Sequence, residues 1–70
     1  MAPKTADLLL SKAFFLSHEK RAEEALDAYA GAAALEPDNA RAAAGIANCL
    51  TMLGRHGEAA KAFERLLTVD

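Results

Sequence analysis

The sequence predicts an all-α protein: four helices arranged as two antiparallel helix-turn-helix repeats. Three observations carry that expectation. The composition is rich in Ala, Leu, Glu, Lys and Arg, the strongest helix formers, against only four glycines and two prolines in 70 residues. Apolar residues recur at three- and four-residue spacing, as in Ala43, Ile46, Ala47 and Leu50. The chain also repeats itself. A shift of 34 residues lays Ala6 on Ala40, Ala13 on Ala47, Leu16 on Leu50, Arg21 on Arg55, Glu24 on Glu58 and Ala25 on Ala59. Tyr29 with Phe63 and Leu35 with Val69 are near matches in the same register.

Each element has a local cause. Thr5 or Ala6 opens the first helix, which carries Leu9, Ala13 and Leu16 inward and bends near 19–21. The second helix carries Ala25, Ala28, Tyr29 and Ala32. Pro37 suits the turn and cannot continue a helix, and Asp38 or Asn39 then caps the third. Gly54 ends the third helix, because glycine takes the left-handed conformation at little cost. Glu58 falls in the first turn of the fourth helix, at the positive end of its dipole. Ala59, Ala62, Phe63, Leu66 and Leu67 are expected to form that helix's buried face.

Alanines at 13, 25, 47 and 59 let paired helices approach closely, while Leu16, Tyr29, Leu50 and Phe63 fill the adjacent gaps. The expected organisation is one domain over 6–70. A first unit spans 6–39 and a second 40–70, after a short extension over 1–5. Ile46→Asp should unfold such a domain by burying an unpaired charge.

Several function classes are disfavoured. The net charge is −2 with acids and bases interspersed, so no basic stripe is present to neutralise phosphates, and nucleic-acid binding is not expected. Cys49 is the single cysteine, which rules out an internal disulfide. The segment from Lys4 through Leu8–Leu10 to Phe14–Leu16 looks like a short targeting core, but Asp7 and Lys12 interrupt it. No span of about 20 apolar residues exists for membrane insertion. The expectation is an amphipathic first helix in a cytoplasmic protein.

The cluster Gly54-Arg55-His56-Gly57-Glu58 invites a catalytic or metal-binding reading. Catalysis needs a positioned partner for His56, and a metal needs converging ligands. His18 and Cys49 lie on other helices, and in the first copy His56 is replaced by Ala22. His56 is therefore expected to pack beside the helix bend or to stand as a solvated imidazole, and Cys49 to be a small packing residue with no basic sequence neighbour to activate it. No catalytic residue, metal site or cofactor is expected, and the chain is not read as an enzyme.

These residues resemble the tetratricopeptide repeat family, with its 34-residue period and pattern of large-x2-Leu-Gly-x2-Tyr, then Ala-x3-Phe, then Pro. The second copy supplies Ala43, Ile46-Ala47, Leu50 and Ala59…Phe63, with Leu66 after them. The first supplies Leu9, Ala13, Leu16, Ala25…Tyr29, Ala32 and Pro37. Lys12 departs from the pattern by standing where leucine is usual, which implies a rotated or irregular first helix. Ala43 replaces a frequent aromatic.

The resemblance implies an α-solenoid fragment without a cap helix, and a concave groove lined by the first helix of each unit. Carried over by position, the groove residues are Asp7, Leu10, Phe14, Ser17 and His18, then Arg41, Ala44, Asn48, Thr51 and Met52. Leu10, Phe14 and Met52 would form an apolar floor, although Phe14 is equally suited to the core. Arg41 and Asn48 would supply polar contacts. Some family members grip a C-terminal carboxylate with lysine and asparagine, but here Leu10 and Phe14 occupy those positions, so apolar segments or an amphipathic helix are the expected ligands. The implied function is protein or peptide binding as an adaptor, a scaffold or a small chaperone, including the helical-repeat chaperones of bacterial secretion systems. The alternative is a self-assembling module that forms a homo-oligomer through Leu66, Leu67 and Val69.

Overall fold

The computed structural model describes residues 5–68. Four helices follow in order: α1 (Thr5–His18), α2 (Ala22–Leu35), α3 (Ala40–Met52) and α4 (His56–Thr68). The fold is all-α, and the described residues contain no strand. α1 packs against α2 and α3 against α4. α2 also packs against α3, and α1 touches α3. The antiparallel sense of the first hairpin shows at Gly31, late in α2, which faces Leu9 Cδ1 early in α1.

The close approach of the helices rests on small residues. Ala13, Ala25 and Ala47 are fully buried and Ala59 nearly so, two on each hairpin at equivalent positions. With Leu10, Leu16, Tyr29, Ala32, Ala42 and Cys49 they make a core that contains no buried polar or charged side chain. Two core expectations shift. Leu10 takes the deep position in α1, while Leu9 is half-buried against α2. Ile46 is half-buried and borders a small depression shared with Arg65, so an aspartate there would keep access to water.

The helix ends follow from local chemistry. Asn39 caps α3: its Oδ1 accepts from the Arg41 and Ala42 backbone N–H groups at 2.9 and 3.2 Å. At the end of α3, Gly54 adopts φ 80° and the Arg55 N–H donates to Leu50 O at 2.9 Å. The first hairpin turns the same way with a different residue. Lys20 adopts φ 60° while the Arg21 N–H donates to Leu16 O at 3.0 Å. The arginine after each turn pairs with a glutamate three residues on, Arg21 with Glu24 and Arg55 with Glu58. Both pairs are about half exposed and add little stability.

A left-handed lysine is strained by its Cβ, whereas glycine is not. Lys20→Gly is therefore expected to stabilise the fold by about 0.5–1 kcal/mol, after allowing for the greater freedom of glycine in the unfolded chain. Urea denaturation would show a raised midpoint with an unchanged slope. A lowered midpoint would mean that the turn is not left-handed.

Two expectations are corrected and one open alternative is decided. α1 is continuous from Thr5 to His18, with Lys12 exposed on its surface, so the lysine causes no irregularity. Of the two alternatives for His56, packed beside the bend or solvated, the structure agrees with the second: it is the first residue of α4 and is exposed. Phe63 and Leu67 do not belong to a buried face: they are 40% and 79% exposed. The physical reason is that α4 packs only on α3, so its far side meets no other described helix.

Candidate functional site

α1 and α3 are the first helices of the two hairpins, and between them lie two depressions. The larger, of about 440 Å³, is lined by Phe14, Ser17 and His18 from α1, Asn48, Thr51 and Met52 from α3, and a floor of Tyr29, Gly45 and Cys49. A second, of about 230 Å³, shares Phe14, Tyr29, Gly45 and Asn48 and adds Leu10, Arg41 and Ala44. Nine of the ten candidate groove residues thus border one of the two, and Asp7, exposed near the start of α1, borders neither.

The rim is apolar. Phe14 is 57% exposed and Met52 51% exposed, so Phe14 belongs to the surface rather than to the core. Its ring meets His18 edge-on, with centroids 4.3 Å apart and planes at 63°. Ser17 Oγ donates to Phe14 O at 2.7 Å and Thr51 Oγ1 donates to Ala47 O at 3.0 Å. Both hydroxyl protons are thereby committed to their own helices, and what these groups offer the depression is acceptor capacity. Asn48 is exposed and can both donate and accept. Leu10 is buried, so it backs the wall of the smaller depression instead of presenting a free side chain.

The floor is what the sequence did not disclose. The Tyr29 ring comes from α2 and lies directly over the α3 backbone at Gly45, where a Cβ would overlap ring atoms Cδ1, Cε1 and Cζ. Glycine is required there by close approach, not by conformation. Tyr29 is buried, and burial raises its phenol pKa. Neighbouring Cys49 adds to the rise, while side-chain hydrogen bonding with Ser17 and the charge of Arg41 oppose it. Burial also pushes the Cys49 thiol up. Both groups therefore keep their protons at neutral pH, which suits a packing role and leaves Cys49 without thiolate character. The available signal was Gly45 itself, since a glycine inside a helical pattern often marks close packing.

Elsewhere the surface is simpler. Among the described residues, no three His, Cys, Asp or Glu side chains converge as a metal site would require. Among the described residues, no helix is long and apolar enough to cross a membrane. On α4, Leu66 is half-buried and Leu67 exposed, while Val69 lies outside the described residues.

Stacked antiparallel hairpins, with a shared depression between their first helices, define an α-helical repeat protein. A tetratricopeptide repeat family model matches residues 16–70, and the chain belongs to that family. The family is a non-enzymatic module that generally mediates protein–protein interaction. Comparison with curated proteins and with solved structures returns no match.

Proposed function

We propose that the face between α1 and α3 binds an apolar peptide segment or the apolar side of an amphipathic partner helix. The observation that carries this is the pairing of exposed Phe14 and Met52 across the larger depression, above the Tyr29–Gly45 floor. Two large apolar side chains held apart over a cleft offer area to a ligand without reorganising the core. Methionine adapts to varied partner shapes. Asn48 can meet a ligand backbone group, and Arg41, at the other end, can meet an acidic side chain. Such a module serves as an adaptor, a scaffold or a small chaperone, and a cytoplasmic setting fits that role.

The test begins with peptides selected on the immobilised chain from a random display library. Phe14→Ala and Met52→Ala should each weaken their binding about tenfold, as expected for central apolar anchors. Asn48→Ala should weaken it less, and Lys61→Ala on α4 should leave it unchanged. Fluorescence polarisation gives the affinities. Selected peptides that bind the Phe14 and Met52 variants as tightly as the native chain would overturn the assignment.

A further inference from the structure

Two sulfur-bearing side chains stand close together on α3, and the fold treats them oppositely. Cys49 is fully buried in the floor of the larger depression, and burial keeps its thiol protonated. Met52, the last residue of α3, is 51% exposed on the rim. It borders a second space as well: an open depression of about 790 Å³ around the α1–α2 turn, shared with Leu53 and with Lys20, Arg21, Glu23 and Glu24. One thioether thus stands between the groove and a charged hollow.

We propose that Met52 is a peroxide-sensitive modification site, and that its oxidation to the sulfoxide releases the ligand held between α1 and α3. This rests on the groove binding an apolar ligand.

The chemistry balances between the two reactants. The thioether sulfur attacks one oxygen of the peroxide, an S–O bond forms, the O–O bond breaks, and water leaves. Sulfur is oxidised by two electrons and the peroxide is reduced by two. A thioether has no proton to lose before it reacts, so access alone decides. A thiol must both ionise and be reached. Cys49 fails on both counts, and the described residues hold no other thiol or thioether.

The product is ill-suited to the groove. Oxidation turns a flexible apolar side chain into a polar one whose oxygen accepts hydrogen bonds. An apolar ligand pressed on that oxygen would bury it without a donor, which is costly. Phe14 on the opposite rim offers none, and the Ser17 and Thr51 hydroxyl protons are committed to their own helices. Asn48 and His18 carry the donors left around this depression, and a sulfoxide that takes either one withdraws it from the ligand. On the other side, Lys20 and Arg21 bring cationic donors to a space open to water. Oxidised Met52 therefore turns out of the groove, and the Phe14–Met52 pair is lost.

Hydrogen peroxide is the probe, applied to the full 70-residue chain and removed before binding is measured. Mass spectrometry of proteolytic fragments should find one added oxygen on Met52 and none on Cys49, with helicity by circular dichroism unchanged. In fluorescence polarisation with a library-selected peptide free of Met and Cys, the oxidised chain should bind about tenfold more weakly. A methionine sulfoxide reductase should restore the affinity. The affinity of Met52→Leu should be the same before and after peroxide, although that chain keeps Met1.

An oxidised chain that binds as tightly as the untreated one would overturn the proposal. So would oxygen found on Cys49 in place of Met52, or a Met52→Leu chain that peroxide weakens as much as the native one. Untreated Phe14→Ala separates this from the groove assignment. If it binds the peptide as the native chain does, the groove assignment fails and Met52 oxidation loses its role with it. If it binds weakly while oxidation changes nothing, only the role of Met52 oxidation fails.

Discussion

Ala47→Asp is expected to abolish the cooperative thermal transition and most of the helical circular dichroism. Ala47 is fully buried in α3, one of four small residues that let the paired helices approach closely, and among the described residues no buried charged side chain lies in the core to pair with a carboxylate. An unpaired charge placed there costs several kcal/mol. A 70-residue helical domain has only about 3–5 kcal/mol to lose. Protonating the carboxylate removes the charge but leaves a polar group in a space sized for a methyl, so low pH should restore little. Ala30→Asp is the matched control. Ala30 is exposed in the interior of α2, and its replacement should cost only helix propensity, about 0.7 kcal/mol or less. If Ala47→Asp melted like Ala30→Asp, the helices would not pack through Ala47. This position tests the core more sharply than Ile46, whose half-exposed side would blunt the effect of an acid.

The second large effect belongs to Gly45. Adding a methyl puts a Cβ inside the Tyr29 ring, which is held between helices and cannot simply swing away. Gly45→Ala should therefore destabilise by about 1–3 kcal/mol, even though alanine is intrinsically better in a helix by about 1 kcal/mol. In a Tyr29→Leu background the clash is relieved, and the same substitution should become neutral or stabilising. The double-mutant cycle should return a coupling of about 1–3 kcal/mol. Gly57→Ala provides the contrast. No atom lies near its added Cβ, so only the propensity gain should be seen. Denaturant midpoints of the four chains of the cycle give the answer. Additive effects would show that Tyr29 does not pack on Gly45.

Much of the fold was legible because it is written locally. Helix spacing, the Asn39 cap, the Gly54 stop and the four close-packing alanines each depend on a few neighbouring residues, and the 34-residue register made each copy a check on the other. The same register misled at α4. Phe63 aligns with Tyr29, yet one is 40% exposed and the other 8%, because α3 covers Tyr29 while the outer side of α4 meets no other described helix. Pattern specifies which face of a helix is apolar, not whether a neighbour is there. Leu9 and Leu10 illustrate a finer limit: two adjacent leucines differ by a rotation about the helix axis, and Leu10 won the deeper place. For the candidate site, the first helices of both repeats supplied the rim by position. The floor could not be seen that way, because Tyr29 and Gly45 meet across two helices and neither belongs to the groove pattern.

We propose that the depression between α1 and α3 is the surface at which this chain meets a protein partner. The most direct measurement is a map of backbone amide shifts as a library-selected peptide is titrated into the isotope-labelled chain, below any concentration at which it self-associates. The expected result is a contiguous set of perturbations at Phe14, Ser17, Asn48, Thr51 and Met52, with Tyr29 and Gly45 moving beneath them. Perturbations centred instead on Leu8 and Phe15, or on Phe63 and Leu67, with the groove amides unmoved, would contradict it.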